Sequence, residues 1–146
     1  MRRLFLIAAL CLGISGCAYL APIGPIINIG IFWMNREAHK YYATPAEDMY
    51  PAVRNALNDL EMMIEEDYMD GDTRVLVVDE NDRFRIKIIP ARHNVTEVVI
   101  LVNTLGDKPY AELIYRHIDE QPDVEQFTST EALQTALDER PRRLRE

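Results

Sequence analysis

Nucleophiles are scarce in this chain. Its 146 residues include two serines and two cysteines, and once an N-terminal leader is set aside only Ser129 and Cys17 remain. Ser129 stands between Thr128 and Thr130 at a predicted helix start, where its hydroxyl serves as a cap. A serine or cysteine hydrolase therefore has almost no candidate nucleophile. The three histidines, His39, His93 and His117, fall in neither H-x-x-x-H nor H-E-x-x-H spacing, so no metal site is predicted. No glycine-rich loop follows a strand to cradle phosphate, and no cofactor or catalytic residue is predicted. "DENDRF", from Asp79, lacks the glycine that a calcium loop places at its sixth position. One of the two cysteines, Cys11, sits in the apolar leader, which excludes a disulfide framework. Positive charge is also short: 16 Lys and Arg stand against 24 Asp and Glu. Without residues 1–16 the balance is 14 against 24, a net charge of −10. An acidic body repels phosphate polymers, so no nucleic-acid partner is expected. Broad adsorption to anionic lipid is disfavoured for the same reason. There is no internal repeat and no low-complexity tract, and the length suits one domain.

What the chain does have begins at its N-terminus. Arg2 and Arg3 form a short basic region, and Leu4 to Ile14 is an apolar stretch of 11 residues, the size of a secretory leader. Ser15 and Gly16 are small, and Cys17 follows. "ISGC" resembles the lipobox of bacterial lipoproteins. That resemblance implies loading of the Cys17 thiol with diacylglycerol, cleavage before Cys17 and acylation of the new amine. A thiol suits this chemistry because thiolate is a strong nucleophile, and small neighbours let the scissile bond enter a membrane-embedded protease. Since Ala18 rather than aspartate follows the cysteine, the resemblance further implies an outer-membrane address in a Gram-negative envelope, with the body facing the periplasm. Leu4 to Ala21 is also 18 uncharged residues, close to a bilayer span, so a signal anchor is the alternative. Both readings keep Arg2 and Arg3 cytoplasmic and the body outside. Residues 17–35 then read as a lipidated N-terminus and apolar tether. Its two prolines oppose a continuous helix, and Tyr19 and Trp33 suit a membrane interface. A core strand is the other reading of this segment.

Residues 36–121 read as a small α+β domain. Arg36 to Ala43 is aromatic-rich and strand-like. In "TPAE", Thr44 is the expected N-cap, Pro45 the first helical residue and Glu47 the closing member of a capping box. Met49, Val53, Leu57 and Leu60 form one apolar stripe, while Pro51 predicts a kink or a start delayed to residue 51. Met62 to Met69 reads as a strand or as a prolongation of the helix. "DGD" at 70–72 is a turn, followed by the strand "TRVLVVD". Phe84, Ile86 and Ile88 alternate with Arg83, Arg85 and Lys87 in a half-buried strand. Pro90 to Asn94 turns the chain into "VTEVVILVN". A second helix follows, with Asp107 as cap and Leu113, Ile114 and Ile118 inward. The order taken is β-α-β-β-β-α, an antiparallel four-stranded sheet with two helices packed on one face. Residues 122–146 read as a polar tail with a short helix carrying Leu133 and Leu137, too short to persist unless it docks.

The leader, the apolar tether, "YYATPAEDMYPAVRNALNDL" and "NVTEVVILVNTLGDKPYAELIYRHI" together resemble a family of short bacterial lipoproteins of unknown function. The likeness extends to about Ile118, and the tail after 121 departs from it. It implies fold and address and brings no catalytic residue with it.

Two features of the domain point to a surface with a role. Arg83, Arg85 and Lys87 form a basic row on an acidic protein, either paired across strands with Glu65, Asp67 or Glu97 or open to an acidic partner. On the last strand Val98, Ile100 and Val102 can face the helices, which leaves Val99 and Leu101 facing away. One side of an antiparallel sheet is normally polar, so the C-terminal helix, the tether or a partner is expected to cover them. The expected function is a membrane-anchored envelope lipoprotein with a non-catalytic binding or structural role, held by the bilayer through Cys17 and meeting an envelope protein. The acidic clusters Glu65–Asp72 and Asp79–Asp82 read as solvated turns; a carboxylate-dependent periplasmic hydrolase or lyase is the catalytic alternative and requires two buried acids in a concavity.

Overall fold

The computed structural model describes residues 30–78, 84–92, 94–103 and 108–138. Its first element is a hairpin: β1 (Phe32–Met34) pairs antiparallel with β2 (Glu37–Tyr42), Met34 opposite Glu37. The two-residue loop, Asn35 and Arg36, has φ of 48° and 68°. Left-handed backbone at both loop positions matches the right-handed twist of the flanking strands. Asparagine suits that geometry, whereas arginine stands where glycine is preferred.

Helix α1 (Ala46–Asp59) follows and carries the chain over the sheet to its far edge. Pro45 is the N-cap, and no side chain caps the helix. The expected box with Thr44 does not form, because that hydroxyl accepts from the Glu125 amide at 2.8 Å while the Thr44 carbonyl accepts from the Thr96 hydroxyl at 2.6 Å. Pro51 lies inside the helix on its exposed side and does not delay its start. Met49, Val53 and Leu57 are fully buried, as their spacing requires. The helix ends in a Schellman motif: the Met62 amide donates to the Leu57 carbonyl at 2.9 Å, the Glu61 amide to the Asn58 carbonyl at 3.0 Å, and Glu61 has φ of 57°.

The far edge starts a meander. Strand β3 (Ile64–Asp70) turns at Gly71, φ 65°, into β4 (Thr73–Val78), which pairs with β5 (Phe84–Arg92) and that with β6 (Val95–Leu101). β6 closes against β2, giving one antiparallel sheet in the order β1-β2-β6-β5-β4-β3. β5 runs through Pro90 with a bulge rather than turning there. Helix α2 (Lys108–Asp119) lies beside α1, and α3 (Thr130–Asp138) meets β5.

The sheet therefore has six strands rather than the expected four, and there are three helices rather than two. β1 comes from residues assigned to the tether, Met62–Met69 supplies an edge strand rather than more helix, and the tail helix docks through Leu133, which is fully buried. The antiparallel α+β class and the packing of α1 and α2 on one face agree with expectation. Leu76, Ile86, Ile88, Val98 and Ile100 form the core with the inner stripes of these helices, including Ile114, Tyr115 and Ile118. The expected leader, Cys17, Arg83 and the expected cap at Asp107 lie outside the described residues.

One polar cluster ties α2 and the tail to β2. Lys40, 6% exposed, donates to Asp119 Oδ2 at 2.5 Å and Oδ1 at 2.6 Å, and to Gln126 Oε1 at 3.3 Å. The Tyr42 hydroxyl donates to the same Asp119 at 2.9 Å. Beside it the Tyr115 hydroxyl sits 2.6 Å from the Ala38 carbonyl oxygen and 2.8 Å from that of Val98, joining α2 to both central strands. Burial first, then the Asp119 charge, raises the Tyr42 hydroxyl well above its usual value, and burial does the same to Tyr115.

Candidate functional site

Strand parity divides the sheet into a helix-covered face and a second face. On the second face the register sets out two ranks across the strands. One runs Val77, Arg85, Leu101, Glu37, Met34; the other runs Val75, Lys87, Val99, His39, Phe32. Four residues expected to form an interaction surface, Arg85, Lys87, Val99 and Leu101, thus stand together on two neighbouring strands. Arg83 lies outside the described residues.

One long polar side chain bridges the apolar ones here. Lys87 faces Val99 in register, yet its Nζ reaches Glu37 Oε1, 3.1 Å away and one strand further on. Its alkyl stem therefore crosses β6 between Val99 and Leu101. Val75, Val77 and Val99 are each only 2–3% exposed, although α1 and α2 occupy the other side. Arg85 is exposed and makes no ion pair among the described residues. The cross-strand pairing expected for this row is thus found for Lys87, but with Glu37. Asp67 is taken by Arg74 at 2.6 Å and by the Tyr50 hydroxyl. The Arg74 guanidinium holds the Asp67 carboxyl below the usual carboxylate range.

The acidic end of the face centres on His39. Its Nδ1 is 2.8 Å from Glu97 Oε1, and because a carboxylate only accepts, Nδ1 carries the proton. Phe32 stacks on the ring at 4.8 Å and 14°. Nε2 is buried without a hydrogen-bond partner, 3.6 Å from Glu37 Oε2. A histidine oriented by a carboxylate is the geometry of a general base, but here the free nitrogen is sealed beneath β1, and the ring pins that short strand to the sheet. Burial and then the Glu97 carboxylate push the neighbouring Tyr41 hydroxyl up to about 12. Sequence reading by histidine spacing missed this group. The available signal was "EAH": Glu37 and His39 alternate on one strand and so share a face.

Among the described residues no carboxylate is in the buried set, so the pair of buried acids that a carboxylate-driven reaction requires is not seen there. No group of three His, Cys, Asp or Glu among them is placed to hold a metal ion. No described helix is long and apolar enough to cross a membrane.

An antiparallel sheet with two helices on one face and a charged, half-apolar second face defines a small α+β module. The chain belongs to the family described as a protein of unknown function (DUF3568), which matches residues 2–121. The match ends two residues past α2 and leaves α3 beyond it. No curated protein matches the chain.

Proposed function

We propose that this protein is a bacterial envelope lipoprotein, cleaved before Cys17, anchored through diacylglycerol on its sulfur, and serving a non-catalytic docking role through the second face of its sheet. The observation that carries the reading is the order of the N-terminus: two arginines, an apolar stretch of 11 residues, then Ile14-Ser15-Gly16-Cys17. The leader falls inside the stretch shared with the family, which supports its belonging to the module. Each buried methylene of an acyl chain contributes about 0.8 kcal/mol, so two or more chains hold the body stably. From Cys17 to Gly30 the tether spans at most about 45 Å, which keeps the body beside the bilayer. The docking role draws on Arg85, whose exposed positive charge adjoins Leu101, with the half-buried Lys87 beside it and Val99 packed beneath, a composition suited to an acidic envelope protein. Metabolic labelling with a palmitate analogue in the native host tests the anchor. Wild-type chain is expected to incorporate label and Cys17→Ala to lose it; equal labelling of the two, or none, removes the reading.

A further inference from the structure

At the hairpin end of the sheet the strands leave a solvent-open concavity of about 630 Å³, within the range of small-ligand sites. Val77 and Leu101 contribute apolar surface to it, and Asn35, Arg36, Arg85 and Asn103 bring amide and guanidinium groups. On a chain of net charge −8, its described lining holds two arginines and no carboxylate.

We propose that this concavity binds an oxyanion, carboxylate or phosphate, carried on a flat apolar body. Three observations converge on that ligand. First, Arg36 occupies a left-handed turn position, φ 68°, that glycine would fill without strain; strain retained at one residue points to a use for its side chain. Second, Arg36 is fixed in place: its carbonyl accepts from the Val102 amide at 3.1 Å and its Nη1 donates to the Asn103 carbonyl at 3.3 Å. A guanidinium has five N–H donors, so most remain for a ligand. Third, Arg85 lies between Val77 and Leu101 in register and has no anionic partner among the described residues. Two guanidiniums lining one concavity repel each other, and an oxyanion between them relieves that repulsion while accepting paired N–H bonds. The apolar body then covers the exposed part of Leu101. The global acidity does not oppose this binding: the charge on the described lining is positive, and solvent and salt screen charges more than about 10 Å away.

The site shares Arg85 and Leu101 with the docking face but needs neither the anchor nor a protein partner, so soluble probes test it separately. The full-length chain in zwitterionic nanodiscs is titrated calorimetrically with phenyl phosphate, benzoate, inorganic phosphate and phenol. At least one aryl anion is expected to saturate, about tenfold tighter than phenol and inorganic phosphate; whichever of the two binds tighter assigns the head group. Arg36→Gly, which suits the turn, is expected to weaken that binding about tenfold with an equal or higher melting temperature, and Arg85→Gln to weaken it similarly. Failure of both aryl anions to saturate overturns the proposal. So does equal binding of phenol or inorganic phosphate, or native affinity in both variants.

Discussion

Raising the pH should unfold this protein through two tyrosines. Tyr42 and Tyr115 are fully buried, and both hydroxyls are held well above the ordinary value of 10.0. An acid whose folded-state value is raised keeps its proton in the native chain after the unfolded chain has released it. Stability is therefore complete below pH 10 and falls above it, by about 1.4 kcal/mol per pH unit for each buried phenol. The pair gives a slope of about 3 kcal/mol per unit above pH 10, against an ordinary domain stability of about 5–15 kcal/mol. Tyr41, half-buried and shifted to about 12, adds a smaller share because solvent screens it. The assay is urea denaturation at stepped pH, read by circular dichroism, with tyrosinate absorbance followed in parallel. Tyr115→Phe should cost about 1–2 kcal/mol at neutral pH, since the Ala38 and Val98 carbonyls lose a donor, yet halve the alkaline slope. An unchanged slope in that variant, or full ionisation of all seven tyrosines near pH 10 with the near-ultraviolet signal intact, would refute the reasoning.

Other consequences are open to direct measurement. Glu61→Gly relieves the left-handed C-terminus of α1 and should stabilise the fold by about 0.5–1 kcal/mol, seen as a higher urea midpoint; a lower midpoint contradicts the cap assignment. Lys40→Met leaves Asp119 with Tyr42 and Gln126 losing its contact. Because the Asp119 side chain is 25% exposed, the expected loss is about 2–3 kcal/mol, below the cost of a fully buried orphan, and a loss under about 0.5 kcal/mol would show that the pair is not formed in solution. A photo-crosslinker at Arg85 should trap a discrete envelope protein that the same probe at Glu112, on the exposed side of α2, does not. Identical adduct patterns from the two positions would remove the docking assignment.

The parts of the fold that were legible in sequence are those written by periodicity. The Met49–Val53–Leu57 stripe and the alternation Phe84–Ile86–Ile88 gave α1 and β5, and strand parity alone put Val99 and Leu101 opposite the helices, with Arg85 and Lys87 beside them. What was illegible shares one physical cause: two reversals use left-handed residues that are not glycine. Arg36 closes the β1–β2 hairpin without an Asn-Gly signal, so β1 stayed hidden in the tether. Glu61 ends α1 without a glycine stop, so β3 could pass for more helix. Thr44 misled in the opposite direction, because a strong capping signal is consumed by a tertiary contact with Glu125 that no local pattern announces. The His39–Glu97 pair joins residues 58 apart in sequence, and only pairing of β2 with β6 brings them together.

The sulfur of Cys17 decides the anchor, and intact mass spectrometry of the protein purified from its native host examines it directly. The expected species lacks residues 1–16 and carries glyceride and acyl mass on Cys17. A species that begins at Met1, or one with a free thiol at Cys17, contradicts the lipid-anchored lipoprotein.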